Sequence, residues 1–348
     1  IMNKVEIRIF IIALLCIAVV MPTAAQERFR IMEYNVENLF DTIPSPYHDD
    51  RDFLPEGKQH WTSQRYWAKQ GRLARVIAAA GGDAPVELVG IVEVENDTTL
   101  AHLTRRTSLA RLGYEYIVTD GPDLRGINVG LLYQPGRFRL LQHQEICVPI
   151  VEGQRPTRNV LLVEGLLPTL DTLSIFVAHF PSRRGGKGET EAHRCRAARV
   201  IRQTVDSIQR QRPKALIVVM GDMNDEAHDT SLREVLHVKV GESEGYEDHS
   251  LYDLAPRCAE HPEITGTYYY QQEWNCIDHI IVSGSFFQPS AALQAPRTCR
   301  ILAYPFLLDA SESEFAQTFR PSRNYLGTFY KGGFSDHLPL LLEILVRH

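Results

Sequence analysis

Cysteine is scarce in this chain of 348 residues, which contains six. No two of them form a Cys-x-x-Cys pair, and no Cys/His pattern typical of zinc sites is present. If the N-terminal segment discussed below is removed, five remain: Cys147, Cys195, Cys258, Cys276 and Cys299. An odd count at irregular spacing excludes a disulfide framework as the basis of the fold.

Excess basic charge is also lacking, because 37 lysines and arginines stand against 43 acidic residues, for a net charge of −6. This balance excludes a general nucleic-acid-coating protein, whose affinity comes from broad positive charge. It still allows a nuclease that binds its substrate through a local basic edge and metal ions. Internal repeats, low-complexity tracts, a P-loop and a dinucleotide-binding fingerprint are absent from the sequence.

Long apolar runs are rare, and the longest is Ile9–Val20 near the N-terminus. It follows two basic residues and precedes Pro22–Ala25, a pattern typical of a secretory signal peptide and too short for a comfortable membrane span. We predict that residues 1–25 are a signal peptide, and that residues 26–348 form a single domain of an exported, periplasmic or extracellular protein. Cleavage leaves 35 basic and 42 acidic residues, a net charge of −7.

Short apolar runs rich in β-branched residues alternate with helical stretches and polar loops. They predict strands at Phe29–Glu33, Leu88–Val92, Tyr116–Val118, Val129–Tyr133, Asn159–Val163, Leu173–Ala178, Leu216–Met220, Ile277–Val282 and Leu340–Val346. Helices are predicted at Ser63–Ala80, which two glycines end, and at Thr190–Gln211. Residues 225–265 and 288–333 are predicted as long loops that shape specificity. The pattern indicates an α/β domain built on one large sheet or on two packed sheets.

Polar clusters stand at the ends of several predicted strands. Asn35 and Glu37 follow the first strand two residues apart, so both oxygens would face one cation if the backbone stays extended; turn capping is the alternative. Glu93 follows the second strand, where an acid directly after an apolar run needs a metal ion or a salt bridge to compensate it.

An imidazole and a basic loop follow a later strand. His179 precedes a glycine-rich segment that contains Arg183, Arg184 and Lys187. The imidazole can transfer protons or bind a phosphate oxygen, and the loop offers guanidinium groups and backbone amides. A merely solvated basic loop is the alternative.

Three further clusters lie towards the C-terminus. Asp222 and Asn224 follow a strand and a glycine, at which the chain can turn sharply. At this edge the acid can orient an attacking water, and the amide can donate to a phosphate oxygen. Asp278 begins an apolar strand, and Asp336 and His337 precede the last one. A buried acid near a histidine can orient its ring and support the imidazolium.

Together these residue types favour hydrolysis of phosphate esters. Carboxylates and amides suit a hard cation, Mg²⁺ or Mn²⁺, better than zinc. Such a cation and basic donors neutralise the charge that builds up on phosphoryl oxygens, while imidazoles handle protons.

The order of the motifs resembles that of the endonuclease/exonuclease/phosphatase superfamily, which includes pancreatic-type deoxyribonucleases, apurinic endonucleases, sphingomyelinases and inositol polyphosphate phosphatases. The resemblance covers about residues 29–347 and rests on Asn35-Val36-Glu37, Gly90-Ile91-Val92-Glu93, Val177-Ala178-His179, Gly221-Asp222-Met223-Asn224, Ile277-Asp278-His279 and Ser335-Asp336-His337. It extends to exported members from Bacteroidetes-type bacteria. It implies a four-layer sandwich of two mixed β-sheets flanked by helices.

The resemblance also implies a role for each cluster. Glu93 is similar to the main metal ligand, with Asn35 and Glu37 beside it, and Asp336 to a second metal or water contact. The acid that orients the water corresponds to Asp222, and a phosphate contact to Asn224.

Further roles follow from the same resemblance for the imidazoles. His337 is similar to the catalytic imidazole of the family, with Asp278 as its partner. His179 resembles the second imidazole of the deoxyribonuclease, sphingomyelinase and inositol phosphatase branches. The family often keeps an acid partner for this imidazole, and either Asp120 or Asp123 stands at the corresponding place. The predicted substrate-binding residues are Arg183, Arg184, Lys187, Asp123 and Arg125.

The leading hypothesis is a secreted, metal-dependent phosphodiesterase, foremost a nuclease of endonuclease type, using Mg²⁺ or Mn²⁺ and acting as a monomer without a stable protein partner. A phosphatase or phospholipase C-like enzyme acting on inositol phosphate or phospholipid is the alternative, for which Tyr268-Tyr269-Tyr270 is a candidate membrane-binding hairpin. An inactive binding module on the same scaffold is a third possibility in another class.

Overall fold

The computed structural model of this protein describes residues 27–150, 155–240, 245–289, 291, 293–312 and 317–346. The predicted signal peptide at residues 1–25 lies outside these residues. Within the described part of the chain, no helix has both the length and the apolar character that a membrane span requires.

Twenty-one strands and three α-helices make up the described fold. The strands are β1 (Arg28–Leu39), β2 (Leu88–Val94), β3 (Glu115–Val118), β4 (Asn128–Tyr133), β5 (Arg139–Ile146), β6 (Val160–Leu166), β7 (Thr172–His179), β8 (Leu216–Asp222), β9 (Val238–Lys239), β10 (Leu251–Asp253), β11 (Ala255–Arg257), β12 (Tyr268–Tyr270), β13 (Glu273–Asn275), β14 (Asp278–Ser283), β15 (Leu293–Gln294), β16 (Thr298–Ile301), β17 (Leu308–Glu312), β18 (Gln317–Pro321), β19 (Tyr325–Leu326), β20 (Phe329–Tyr330) and β21 (Leu340–Val346). The α-helices are α1 (Ser63–Gly81), α2 (Asp97–Arg105) and α3 (Lys187–Gln211), and shorter helical turns lie at Arg51–Phe53, Ser108–Arg111, Ser231–Val235, Gly284–Phe287 and Pro305–Leu307.

Two mixed sheets form the centre of the fold. The first has the order β11-β16-β21-β1-β2-β4-β3, with β15 pairing to β21, and the second has the order β5-β6-β7-β8-β14-β10-β9. The sheets pack face to face, since Gly90 of β2 leaves room for Met220 of β8, whose side-chain atoms would lie 2.6 Å from an added Cβ. A side chain at Gly90 would therefore require Met220 to move.

Helices cover the outer faces of both sheets. In α1, Leu73, Val76 and Ile77 are fully buried in the core shared with the first sheet. In α3, Ala198 and Ile201 pack in a second cluster on the outer face of the second sheet. The predicted four-layer α/β sandwich of two mixed sheets flanked by helices is confirmed.

Sequence periodicity located the long elements well and the short ones poorly. The predicted helices differ from α1 and α3 by one and three residues at one end. Helix α2 and the exposed edge strand β5 were missed. The expectation of structureless loops at 225–265 and 288–333 is wrong, because short strands from β9 to β11 and from β15 to β20 occupy parts of them. Strands of two or three residues are too short to show a period.

Strand direction explains why distant clusters meet at one edge of the sandwich. Strands β1 and β2 are parallel, and so are β7 and β8, so each pair ends at the same edge. Strands β21 and β14 run antiparallel to β1 and β8, so they begin at that edge. His179 stands opposite Asp222 in the β7–β8 register, and Asp278 stands opposite Asp222 in the β8–β14 register.

Candidate active site

An acid–imidazole pair lies at the centre of this edge. His337 Nδ1 is 2.7 Å from Asp278 Oδ2, and Thr267 Oγ1 donates to the same oxygen. Because a carboxylate only accepts hydrogen bonds, Nδ1 carries a proton and Nε2 faces the site. His337 Nε2 lies 3.9 Å from Asp222 Oδ2. The two strand ends thus point the ring of His337 at a second carboxylate.

The surroundings of His337 favour its cationic form. Burial alone lowers the pKa of this imidazole, but the carboxylates of Asp278, Asp222 and Asp336 together raise the pKa well above its ordinary value. A histidine held in this way is an imidazolium at neutral pH and can donate a charged hydrogen bond from Nε2.

Asp222 is held between two imidazoles. Its Oδ1 accepts from the amide N of Asn224 at 2.9 Å, and its Oδ2 accepts from Asn35 Nδ2 at 3.0 Å. Its Oδ2 also lies 3.7 Å from His179 Nε2. Burial, followed by repulsion from Asp278, raises the pKa of Asp222 to about 7. A carboxyl group with a pKa near neutrality is suited to accept a proton from water.

Glu93 is displaced from the regular strand geometry towards His179. The pairing of β2 with β4 is irregular between Val92 and Val94, and Glu93 between them has a φ of +66°. Glu93 Oε2 accepts from the amide N of Asn38 at 2.8 Å, which leaves Oε1 3.8 Å from His179 Nε2. Positive φ at a non-glycine residue is costly, and such residues concentrate at functional sites.

The donors at this edge fit a hard divalent cation. The nearest ligand atoms of Asp222, Asp278 and His337 lie within 4.8 Å of one another. Asp278 Oδ2 and His337 Nδ1 already bond to each other, so the open oxygen donors are on Asp222 and Glu93. Glu33 is fully buried beside these groups, and both of its carboxyl oxygens are unpartnered in the described structure. Burial and then repulsion from Asp278 and Asp222 raise the pKa of Glu33 well above its usual value. A cation such as Mg²⁺ would relieve this crowding.

The expectation that Asn35 and Glu37 face one cation on an extended backbone is wrong in its premise. Glu37 has a φ of +51°, so the chain leaves the extended form between them. Asn35 Oδ1 accepts from the amide N of Glu37 at 2.9 Å, whereas the carboxylate of Glu37 accepts from the amides of Asn324 and Tyr325. Burial and then repulsion from Asp336 raise the pKa of Glu37 to about 7.

Neither acid predicted to orient His179 bonds to it. Asp120 is exposed, and Asp123 Oδ2 lies 3.3 Å from Arg158 Nε. His179 Nδ1 is buried and has no hydrogen-bond partner among the described residues. Burial, and then the positive charges of Arg158 and Arg125, lower the pKa of His179 well below its ordinary value. The second imidazole is therefore neutral, and the acids near its Nε2 are Glu93 and Asp222 rather than Asp120 or Asp123.

The predicted basic loop is partly neutralised by its own neighbours. Arg183 Nε donates to the carbonyl O of Asn224 at 2.6 Å, and its guanidinium lies 3.1 Å from Asp229. Lys187 Nζ lies 2.6 Å from the same carboxylate. Arg184 is exposed. The structure therefore uses Arg183 and Lys187 to hold the segment after β8, which corrects the picture of an open cationic loop.

Asp336 belongs to a cluster beside Glu37. Arg323 donates to Asp336 Oδ2 at 2.8 Å. The buried ammonium of Lys69 donates to the backbone carbonyl of Glu37 at 2.5 Å. Burial lowers the pKa of Lys69 to about 8, although Glu37 and Asp336 act in the opposite direction.

Several residues of the site were missed in the sequence. The side chains are Glu33, Lys69, Arg158, Thr267 and Arg323. Glu33 had a usable signal, because an acid inside an apolar strand needs the same compensation as Glu93. Arg158 and Arg323 lie in polar segments, and only the fold shows what they face.

Comparison with known proteins agrees with this geometry. The sequence profile of the endonuclease/exonuclease/phosphatase family matches residues 30–346. Among curated proteins, none matches the sequence. An endonuclease/exonuclease/phosphatase family protein from Bacteroides thetaiotaomicron has a similar structure, with a TM-score of 0.55 and 16% identity, covering 93% of this chain and 99% of that one.

Two further structures share the fold. TDP2 from D. rerio, complexed with a single-strand DNA product, has a TM-score of 0.54 and 14% identity and covers 91% of this chain and 99% of that one. A mannosyl-6-phosphatase from Bacteroides thetaiotaomicron has a TM-score of 0.55 and 15% identity, with coverage of 91% and 99%. At these identities the likeness shows the fold alone. On the match over residues 30–346, the chain belongs to the endonuclease/exonuclease/phosphatase family, whose members are in general divalent-metal-dependent phosphoester hydrolases.

Proposed function

We propose that this protein is a metal-dependent phosphodiesterase that hydrolyses phosphate esters with an activated water, and that nucleic acid is its substrate class. The observation that carries the proposal is the 2.7 Å bond between Asp278 and His337, which points His337 Nε2 at Asp222. It brings a carboxyl group suited to act as a base next to an imidazolium suited to neutralise a phosphoryl oxygen.

In this mechanism Asp222 accepts a proton from the attacking water. The water oxygen and the leaving oxygen lie roughly in line on opposite sides of phosphorus. Because His337 Nε2 is only 3.9 Å from Asp222 Oδ2, it lies on the side of the water. His337 therefore donates to a non-bridging phosphoryl oxygen rather than to the leaving oxygen.

A divalent cation held by Glu93, one of the two residues with open oxygen donors, would add charge neutralisation at the phosphoryl oxygens. The side chains around it have their own tasks. Asn35 Nδ2 and the amide of Asn224 hold the carboxylate of Asp222 in position. Burial, and then the charges of Arg158 and Arg125, keep His179 neutral, so His179 offers a hydrogen bond and adds no positive charge beside the cation.

Nucleic acid is favoured among phosphate esters by the guanidinium groups near His179 and by an aromatic hairpin at the site, described below. The similar structure of TDP2 contains a single-strand DNA product. A phosphatase acting on a phosphorylated sugar or inositol is the alternative, and the similar fold of a mannosyl-6-phosphatase motivates it. An inactive binding module is disfavoured, since the acid–imidazole pair and the carboxylates facing it are all present.

A substrate panel tests the proposal. Double-stranded DNA, single-stranded DNA, RNA, bis-p-nitrophenyl phosphate, mannose 6-phosphate, inositol phosphate and sphingomyelin would each be incubated with Mg²⁺, with Mn²⁺ and with a chelator. We expect hydrolysis of nucleic acid and of the diester with either metal, and none with chelator. His337→Ala should retain the fold by circular dichroism and lose hydrolysis. Wild-type rates in that variant would contradict the mechanism, and hydrolysis of monoesters alone would favour the phosphatase.

We further propose that the protein is exported and acts as a monomer. The N-terminal pattern of residues 1–25 supports export. N-terminal sequencing of protein recovered from the periplasm or medium should begin after Ala25, and size-exclusion chromatography with light scattering should give a mass near that of one chain.

A further inference from the structure

A short aromatic hairpin stands directly beside the acid–imidazole pair. Strands β12 and β13 are joined by Gln271 and Gln272, which have φ values of +49° and +68°. Positive φ at both central residues is characteristic of the tight two-residue turn that joins the strands of a β-hairpin. Tyr268 and Tyr270 are two residues apart on β12, so they lie on the same face of the hairpin.

The two tyrosines continue a stack that begins at the imidazole of His337. The rings of Tyr268 and His337 have centroids 4.7 Å apart and planes inclined by 30°. The rings of Tyr270 and Tyr268 have centroids 6.1 Å apart and planes inclined by only 14°. Tyr270 is 55% exposed, which is unusual for so large a ring. The stack thus runs from the reacting centre outwards to solvent.

This stack is fixed by the backbone. Tyr268 forms an isolated bridge with His337, and the amide of Leu338 donates to the carbonyl O of Thr267 at 2.8 Å. On the opposite face of the hairpin, Tyr269 packs edge-on against Trp274 with centroids 5.2 Å apart. Gly266 has no room for a side chain, because an added Cβ would lie 2.4 Å from the carbonyl O of Asn275. The rings are therefore placed in advance, and a ligand would not have to order them.

The polar and charged groups around the stack oppose insertion into a membrane. Burial and then the negative charge of Asp336 raise the pKa of Tyr268, whereas His337 and Arg323 act in the opposite direction, so groups of both charges lie close to this ring. The hairpin turn consists of Gln271 and Gln272 and is followed by Glu273, which are polar or negatively charged. A hairpin that enters a bilayer needs apolar groups at its tip. The membrane-binding interpretation of Tyr268-Tyr269-Tyr270 is therefore not supported.

We propose that Tyr268 and Tyr270 form a stacking subsite that binds a nucleobase of the substrate next to the phosphate being cleaved. The inference rests on the proposed phosphodiesterase function and goes further, because it assigns the substrate a planar aromatic ring at a defined distance from His337. Base stacking on aromatic side chains is tolerant of sequence, so this subsite favours nucleic acid without choosing among bases. Tyr270, exposed and two residues from Tyr268, supplies the outer face of the subsite.

The test compares a short oligothymidylate with an abasic oligomer of the same length and phosphate number. Wild-type protein should show a KM for the abasic oligomer that is higher by roughly 5- to 150-fold, the range expected for one stacked base. Tyr270→Leu should raise the KM for oligothymidylate towards the abasic value, so that the difference in KM between the two oligomers is largely lost. Tyr270→Phe keeps the ring and should behave as wild type. Leu141→Ala, an exposed apolar residue on edge strand β5, serves as a surface control.

Binding distinguishes failure of this inference from failure of the proposed function. Dissociation constants of both oligomers, end-labelled and measured by fluorescence anisotropy with Ca²⁺ in place of Mg²⁺, do not require turnover. Protein that hydrolyses no diester but binds oligothymidylate in a Tyr270-dependent way would refute the function and retain the subsite. Equal KM and Kd values for the two oligomers, or for wild type and Tyr270→Leu, would overturn the subsite. Mannose 6-phosphate hydrolysis weakened by Tyr270→Leu would assign the rings to a sugar instead.

Discussion

Replacing Asp278 with Asn removes a charge from the acid–imidazole pair and almost nothing else. Asp278 Oδ2 accepts from both Thr267 Oγ1 and His337 Nδ1, whereas Asp278 Oδ1 is buried without a hydrogen-bond partner in the described structure. The amide oxygen of Asn can take the place of Oδ2, which puts the NH₂ group at the unpartnered position. His337 then keeps its hydrogen bond and loses the adjacent anion.

The expected loss can be estimated from this geometry. A hydrogen bond to a charged group contributes about 1.5–3 kcal/mol, and one between neutral groups about 0.5–1.5 kcal/mol. Without the carboxylate the cationic form of His337 is no longer favoured, so its interaction with the phosphoryl oxygen weakens at the same time. Removal of a proton-handling contribution or of the acid behind a catalytic histidine costs about 10²–10⁴ in rate. We expect kcat for a diester substrate to fall by about that factor, or about 3–5 kcal/mol.

Stability measurements separate this effect from loss of the fold. Repulsion from Asp278 helps to raise the pKa values of Glu33 and Asp222, so neutralising it relieves strain in the native state. Asp278→Asn should therefore stay folded, because this relief offsets part of the roughly 1–3 kcal/mol cost of the buried, unpartnered NH₂ group, and its thermal midpoint should stay close to that of wild type. Thr267→Val, which removes only the supporting hydrogen bond, should lower kcat by about tenfold, in line with the loss of one hydrogen bond. A kcat within threefold of wild type for Asp278→Asn, in a folded protein, would refute the assignment of this pair.

Three other changes test separate parts of the structure. Glu93→Gln should raise the Mg²⁺ concentration that gives half-maximal activity by about tenfold or more, measured by metal titration, and an unchanged titration would exclude Glu93 as a ligand. His279, buried against Asp253 at 2.9 Å, has a pKa raised to about 9. Its contribution of about 3 kcal/mol should be present below about pH 6.5 and lost as the pH rises through about 9, so urea denaturation of His279→Gln should lack that slope. Gly221→Ala should destabilise the protein by about 3 kcal/mol or more, because φ is +137° and the added Cβ would lie 1.9 Å from the carbonyl O of Ala178; a thermal midpoint equal to wild type would contradict this.

The long elements could be predicted because their period or composition is a local property. Helices α1 and α3 follow from apolar stripes, and the central strands follow from β-branched runs. The acids and imidazoles were conspicuous for the same reason, since Glu93, Asp222 and His337 stand directly beside apolar segments where a charge needs compensation. The short strands β9 to β11 and β15 to β20 offered no clear period and lie in segments that were predicted as loops.

Partners across the fold could not be predicted, because strand order and direction bring together residues far apart in the sequence. Asp123 was expected near His179 and instead pairs with Arg158, a residue that nothing in the sequence distinguishes. Glu37 was expected to share a cation with Asn35, but a positive φ turns its carboxylate to the amides of Asn324 and Tyr325.

The sequence by itself determined the fold class and most of the charged residues of the site. A charged residue directly beside an apolar segment can be recognised from the local sequence. The tertiary structure decided which atoms face one another. Parallel pairing of β1 with β2 and of β7 with β8 brings four strand ends to one edge, and antiparallel β14 and β21 bring Asp278 to His337 there. The same arrangement places Tyr268 and Tyr270 in line with His337. Stacking depends on the distance and angle between rings, and no local sequence pattern records these quantities.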